Sequence, residues 1–208
     1  MSASSSNALI HAPEQPVGIL LAGGSGTRFD PSGQSNKLLA TLIHGAEAGR
    51  PVAWLAAQHM KAVLARVIAV VRPDGVEAQA VARLLEDAGC EVHFSAASAR
   101  GMGASLAAGV AASSHASGWV IALADMPEVQ PSTIAAVVAA LDHDAALAAA
   151  CYRGARGHPV AFGRAYGADL ARLDGDTGAR ALLARPGWLR IETEDAGVLR
   201  DVDTRAAL

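Results

Sequence analysis

Short, unbroken apolar runs alternate along this chain with longer segments whose apolar positions recur every three or four residues. Residues 17–21 (VGILL), 66–72 (RVIAVVR), 90–94 and 119–124 (WVIALA) have the length and branched aliphatic content of strands. Strands covered on both faces read as such continuous runs. Helical patterns lie between them, over 51–64, 75–88, 104–113 and 131–141. Pro51 and Pro131 suit the first turn of a helix, and Gly89 suits a cap just past a helix end. This alternation predicts an α/β fold: a mostly parallel sheet with helices on both faces. The last third is less regular. It predicts strands over 147–152 and 158–162 with a polar turn over 153–157 between them, a short helix over 176–183, and terminal strands over 188–193 and 198–202. These should finish the sheet and cover the substrate half of a cleft.

Composition narrows the class. Of 208 residues, 51% are hydrophobic and 18% charged, the balance of a core-forming chain. The Ser/Ala/Pro-rich stretch 1–16 reads as a flexible leader, with one domain over 17–208. A net charge of −3 lacks the basic footprint of a nucleic-acid binder. No apolar run of about eighteen residues marks a membrane span, so the expectation is a cytoplasmic protein with neither membrane nor nucleic acid as partner. Cys90 and Cys151 stand far apart, outside any metal-ligand spacing, and read as buried small hydrophobes.

Five constellations carry candidate chemistry. In the first, the opening strand runs through Leu21 and Ala22 into Gly23, Gly24, Ser25, Gly26, Thr27 and Arg28, and Lys37 follows nine residues after the arginine. Arg28 stands where a dinucleotide fingerprint needs a small residue, and Lys37 lacks the flanking Gly and Ser/Thr of a Walker loop. What remains is another kind of phosphate loop, with backbone amides facing phosphates and two cations neutralising them; a plain Gly-rich turn is the competing account. Second, Asp125 ends a buried strand, where open α/β sheets form their ligand crevice. A carboxylate there suits Mg²⁺, which prefers hard oxygens, or else caps the next turn. Third, Asp201 and Asp203 fall on one side if 198–202 is a strand, and one of them could complete that metal site. Fourth, the junction Gly101-Met102-Gly103-Ala104-Ser105 lets a ligand approach closely, and Ser105 could donate to a ribose or base, or the segment is a turn and N-cap. Fifth come His158, before Pro159, and the segment from Gly175 to Arg180 that contains Asp176. No nucleophile elbow or Ser-His-Asp order appears.

Taken together, LAGGSGTRF…NKLLA, GMGASLAAGV, ALADMP, GHPVAF, GDTGARALL and DVDT, in this order, resemble the MobA-like nucleotidyltransferases, which attach a nucleotide to the molybdenum cofactor. The resemblance spans nearly the whole chain after residue 16. It implies a three-layer, Rossmann-like nucleotidyltransferase fold and Mg²⁺-dependent transfer of a nucleotide from CTP or GTP to the terminal phosphate of molybdopterin. GMGASL and GDTGAR are similar to the cytidylyl branch. The double glycine of LAGG is similar to the guanylyl branch, since the cytidylyl form usually reads LAAG. The stretch from Asp30 to Asn36 is longer than the Gly-rich run it replaces. The resemblance assigns Mg²⁺ to Asp125 and Asp203, and the phosphates to Arg28 and Lys37. It gives the triphosphate cradle to Gly23, Gly24 and Gly26 and the nucleoside to Ser105 with nearby Gly103. His158, Asp176 and Arg180 fall on the pterin side. Two other readings stay open: a nucleotidyltransferase for a sugar or alditol phosphate, and a non-catalytic NTP-binding partner or chaperone of a molybdoenzyme.

Overall fold

The computed structural model describes residues 15–24, 28–30, 32, 34–74, 77–176, 178–184 and 187–208. The predicted strands join β1 (Val17–Ala22), β2 (Val67–Val71), β3 (Glu91–Phe94), β4 (Gly118–Leu123), β5 (Leu147–Tyr152), β6 (Ala155–Gly163) and β7 (Leu189–Glu192) into one sheet of order β3-β2-β1-β4-β6-β5-β7. β1 pairs in parallel with β2 and β4, and β2 with β3. β6 is antiparallel to β4 and β5, and β5 is parallel to β7, so β6 alone opposes the common direction.

The two-residue period of each strand sorts its side chains between two cores. Leu20, Ala22, Ala69, Val71, Val120 and Ala122 face α1 (Val52–Lys61), α2 (Ala78–Asp87) and α4 (Pro131–Ala139) through Met60, Leu85 and Val137. Ile19, Leu21, Val70, Ile121, Val160 and Phe162 pack with Leu106 and Val110 of α3 (Met102–Ala111) and Leu170 of α5 (Gly167–Ala171). The aliphatic runs of the sequence thus become a three-layer sandwich. α3 lies close to the sheet because Gly109 stands against Ile19, whose Cγ2 would be 2.9 Å from a Cβ there.

Several boundaries differ from the sequence expectation. Pro51 is the extended residue before α1 rather than part of its first turn. Cys90 is buried just ahead of β3, an edge strand with exposed ends. The turn expected over 153–157 shrinks to Arg153 and Gly154, because β6 continues the ladder up to Tyr152–Ala155. The expected helix over 176–183 is a 3₁₀ turn, Gly178–Ala181. Residues 198–202 do not form a strand: Asp195 accepts from the Gly197 N–H and starts a 3₁₀ turn, Ala196–Leu199. Beyond it the chain crosses the carboxyl end of the sheet. Among the described residues no helix is long and apolar enough to cross a membrane.

Candidate active site

Three segments converge where β1 and β4 end. The Ala124 N–H donates to the Leu21 carbonyl at 3.0 Å, which carries the β1–β4 pairing one step further and sets Asp125 beside the glycine turn. The Val202 N–H donates to the Asp125 carbonyl at 2.8 Å and ties the C-terminal segment to the same point. Val202 is buried with Phe29, Leu42, Val52 and Leu55 in a small third core. Burying Phe29 and Val202 together brings Arg28 beside Asp203. Asn36 caps the 3₁₀ turn Lys37–Leu39 by accepting from the Leu38 N–H, and the side chain of Lys37 is buried.

Lys37 Nζ stands 2.6 Å from Asp125 Oδ2 and 3.0 Å from Asp203 Oδ1, and Arg28 pairs with the other oxygen of Asp203. Burial alone would push the Lys37 ammonium down, but the charges and hydrogen bonds of Asp125 and Asp203 outweigh it and hold Lys37 above its ordinary value. The Lys37 hydrogen bond, and beyond it the charges of Lys37 and Arg28, hold Asp203 below the usual carboxylate range. Both groups are therefore charged at neutral pH. Asp201, absent from the pairing, adds a third carboxylate: one oxygen each of Asp125, Asp201 and Asp203 lie within 4.8 Å of one another. Such an all-oxygen donor set fits a hard divalent cation. The lysine ammonium between two of the carboxylates shows that they already converge on positive charge.

Beside this cluster opens a cleft of about 300 Å³, with Leu21, Gly23, Gly24, Leu123 and Asp125 along the sheet side. At Gly23 space is tight, a Cβ lying 3.1 Å from Ser98 Cβ and 3.3 Å from Ser105 Oγ, whereas one on Gly24 would meet nothing within 4 Å among the described residues. Ser105 lines the cleft as expected, and its hydroxyl donates to the Gly101 carbonyl at 3.1 Å, leaving its lone pairs to accept. Ala22 is reached only through its backbone, since its side chain is buried on the opposite face of the sheet. Gly26 and Thr27 lie outside the described residues.

Gly103 does not present its amide to the cleft: its N–H donates to the Gly175 carbonyl at 2.7 Å, and a Cβ would meet the Asp174 carbonyl at 2.7 Å. It is the spacer that lets the 174–176 turn sit on the start of α3. That same turn carries Asp176 into the wall of the cleft that Ser105 also lines. Its carboxylate occupies the space over Gly101, whose φ of +123° also favours glycine.

His158 lies in β6, after which the peptide bond to Pro159 is cis. Burial pushes its imidazole down to about 4, with only partial opposition from the charge of Asp125, so it is neutral at pH 7. Arg180 is exposed on the 3₁₀ turn Gly178–Ala181. The long segment after Phe29 is organised by Asp30, whose carboxylate accepts from the hydroxyls and N–H groups of Ser32 and Ser35 and from the Gln34 N–H. Those bonds, led by the Ser32 hydroxyl, hold Asp30 far below the carboxylate range. Sequence reasoning passed over Arg72, Ser98 and Asp30. Arg72 had a usable signal, because it follows a buried strand at the same sheet end as the glycine turn.

Solved structures share this architecture. Rv0371c from Mycobacterium tuberculosis superposes with a TM-score of 0.74 at 25% identity, over 94% of this chain and 96% of that one. Its complex with manganese gives 0.63 at 23%, over 86% and 88%. A nucleotidyl transferase from Methanothermobacter gives 0.75 at 20%, over 93% and 94%. CMP:2-keto-3-deoxy-manno-octonic acid synthetase complexed with CTP gives 0.67 at 14%, over 92% and 95%. Comparison with curated protein sequences returned no match. The sequence profile of the MobA-like NTP transferase domain matches residues 18–192, which take in the glycine loop, Lys37 and Asp125. The chain therefore belongs to the MobA-like NTP transferase family and is a nucleotidyltransferase.

Proposed function

We propose that this cytoplasmic enzyme transfers CMP from CTP to the terminal phosphate of molybdopterin or its metal-loaded form, releasing pyrophosphate. The observation that carries the reading is the meeting of Lys37, Arg28, Asp125 and Asp203 at the mouth of a glycine-walled cleft. The likeness of GMGASL and GDTGAR to the cytidylyl branch supports CTP, as does the likeness to a synthetase solved with CTP. The double glycine Gly23-Gly24 keeps GTP as the alternative base.

The acceptor phosphate is already an anion, so its oxygen attacks the α-phosphorus without a general base. Catalysis then reduces to positioning and charge neutralisation. Gly23 and Gly24 let the triphosphate approach the backbone closely. Lys37, fixed by two carboxylates, and Arg28, paired to Asp203 yet 80% exposed at its side chain, are the cations for the α-phosphate and the departing pyrophosphate. Asp125 and Asp203, joined by Asp201, would hold Mg²⁺; a divalent ion is also supported by the manganese complex of Rv0371c. When bound, the ion supplies further neutralisation of phosphate charge and a fixed template for its oxygens. His158, neutral and close to Asp125, and Arg180 belong to the acceptor half, His158 offering a neutral hydrogen bond and Arg180 a charge for an anionic substrate.

The test is pyrophosphate release by purified protein with Mg²⁺, molybdopterin and either CTP or GTP. Turnover with CTP is expected; no turnover with either nucleotide refutes the reading. A sugar or alditol phosphate as the better acceptor would keep the chemistry and replace the substrate. Tight NTP binding without turnover, together with co-purification of a molybdoenzyme, would favour an accessory role.

A further inference from the structure

Besides Ser105, whose hydroxyl is bonded to the Gly101 carbonyl, three polar side chains outside the cation–carboxylate cluster line the cleft: Arg72, Ser98 and Asp176. Arg72 follows β2, one strand over from Gly23, and its Nε and Nη2 hold Asp74 at 3.3 and 3.1 Å. A guanidinium carries five N–H donors and no acceptor, so donors remain. Asp176 enters from the 174–176 turn seated on the start of α3, and an ionised carboxylate only accepts. Ser98 is 4% exposed, and its Oγ has no hydrogen-bond partner among the described residues. A buried hydroxyl without a partner is costly, and a ligand in the cleft that Ser98 lines would supply the missing partner. The remaining surface nearby is apolar: Leu21, Leu123 and Met102, the last 41% exposed despite its thioether. An apolar slot with an accessible methionine suits the face of a flat ring.

We propose that Arg72, Ser98 and Asp176 read the nucleobase, and that they select a base carrying both a ring carbonyl and an exocyclic amine. Arg72 donates to the carbonyl, Asp176 accepts from the amine, and Ser98 supplies a hydroxyl that can do either. Cytosine and guanine have both groups. Adenine has no carbonyl, and uracil has no amine. A site built to hydrogen-bond both groups discriminates strongly, because a base lacking one leaves a site group unpaired. The inference rests on the cleft being the nucleotide half of the site proposed above, and it adds the residues that choose among nucleotides.

Calorimetric titration of the full chain with CTP, GTP, ATP and UTP in Mg²⁺, and with inorganic triphosphate as a probe of the phosphate grip alone, tests it. CTP or GTP should bind at least about tenfold more tightly than ATP and UTP. Asp176→Asn, an isosteric change at an exposed position, should weaken the preferred nucleotide about tenfold and narrow its margin over UTP, since the new amide can donate to a second carbonyl. Arg72→Met and Ser98→Ala should each narrow the margin, and all three variants should bind inorganic triphosphate as the parent does. Equal affinity for the four nucleotides, or unchanged selectivity in the variants, overturns base reading while leaving the transferase intact. Failure of every nucleotide and of triphosphate to bind overturns both.

Discussion

Lys37 is the residue on which the site turns. A buried ammonium without partners would be forced toward neutrality, yet Asp125 and Asp203 keep this one charged. Lys37→Met should keep the apolar stem and lower kcat by about 10²–10³-fold, the scale of losing one preorganised charge donor at a developing anion. Single-turnover pyrophosphate release checks it. Asp125→Ala should be at least as damaging, because it also leaves Lys37 with one carboxylate instead of two; a near-parental rate would remove Asp125 from the chemistry. His158 supplies a pH prediction. Its folded value, about 4, lies below the 6.5 of a free imidazole, so the unfolded chain binds more protons between those values. Stability is therefore full above pH 6.5 and falls as the pH drops toward 4, by about 3 kcal/mol at most. His158→Gln should flatten that part of the curve, measured as denaturant midpoints from pH 4 to 7.

At the scale of elements, the site depends on two junctions that carry no catalytic group. One is the small core of Phe29, Val52, Leu55 and Val202, which pins the glycine-loop exit to the C-terminal segment. The other is the seat of the 174–176 turn on α3. Gly103→Ala would press a methyl against the backbone carbonyls of Asp174 and Gly175 at 2.7 and 2.9 Å. That should push the turn off α3 and raise KM for the nucleotide about tenfold, with little change in the far-ultraviolet circular dichroism. Gly24→Ala makes no such contact, and its melting temperature should match the parent's. These junctions explain what was hard to read in the sequence. β1, β2 and β4 were legible because strands covered on both faces are continuous apolar runs. Residues 198–202 looked like a strand because Val198 and Val202 are buried, but each enters a different core and no neighbouring strand pairs with them.

For the whole molecule, the order of elements foretold a mostly parallel sheet with helices on both faces. The antiparallel direction of β6 follows from the short turn at Arg153 and Gly154, within the turn expected over 153–157, and not from the apolar pattern. Arg28, Lys37, Asp125 and Asp203, singled out in the sequence as candidates, are brought together by ion pairs in the structure. That Asp176 lines the cleft was not legible, because its carboxylate fills the space a side chain at Gly101 would take. Ser98 was missed because its isolation is a property of packing. The central claim is nucleotidyl transfer at the meeting point of these segments. It is tested most directly by incubating the purified chain with Mg²⁺, molybdopterin and CTP labelled at the α-phosphate. The account predicts label in the pterin product with one pyrophosphate released per transfer, for CTP or, failing that, for GTP. Pyrophosphate-free reaction mixtures with both nucleotides, from protein that binds them, would contradict it.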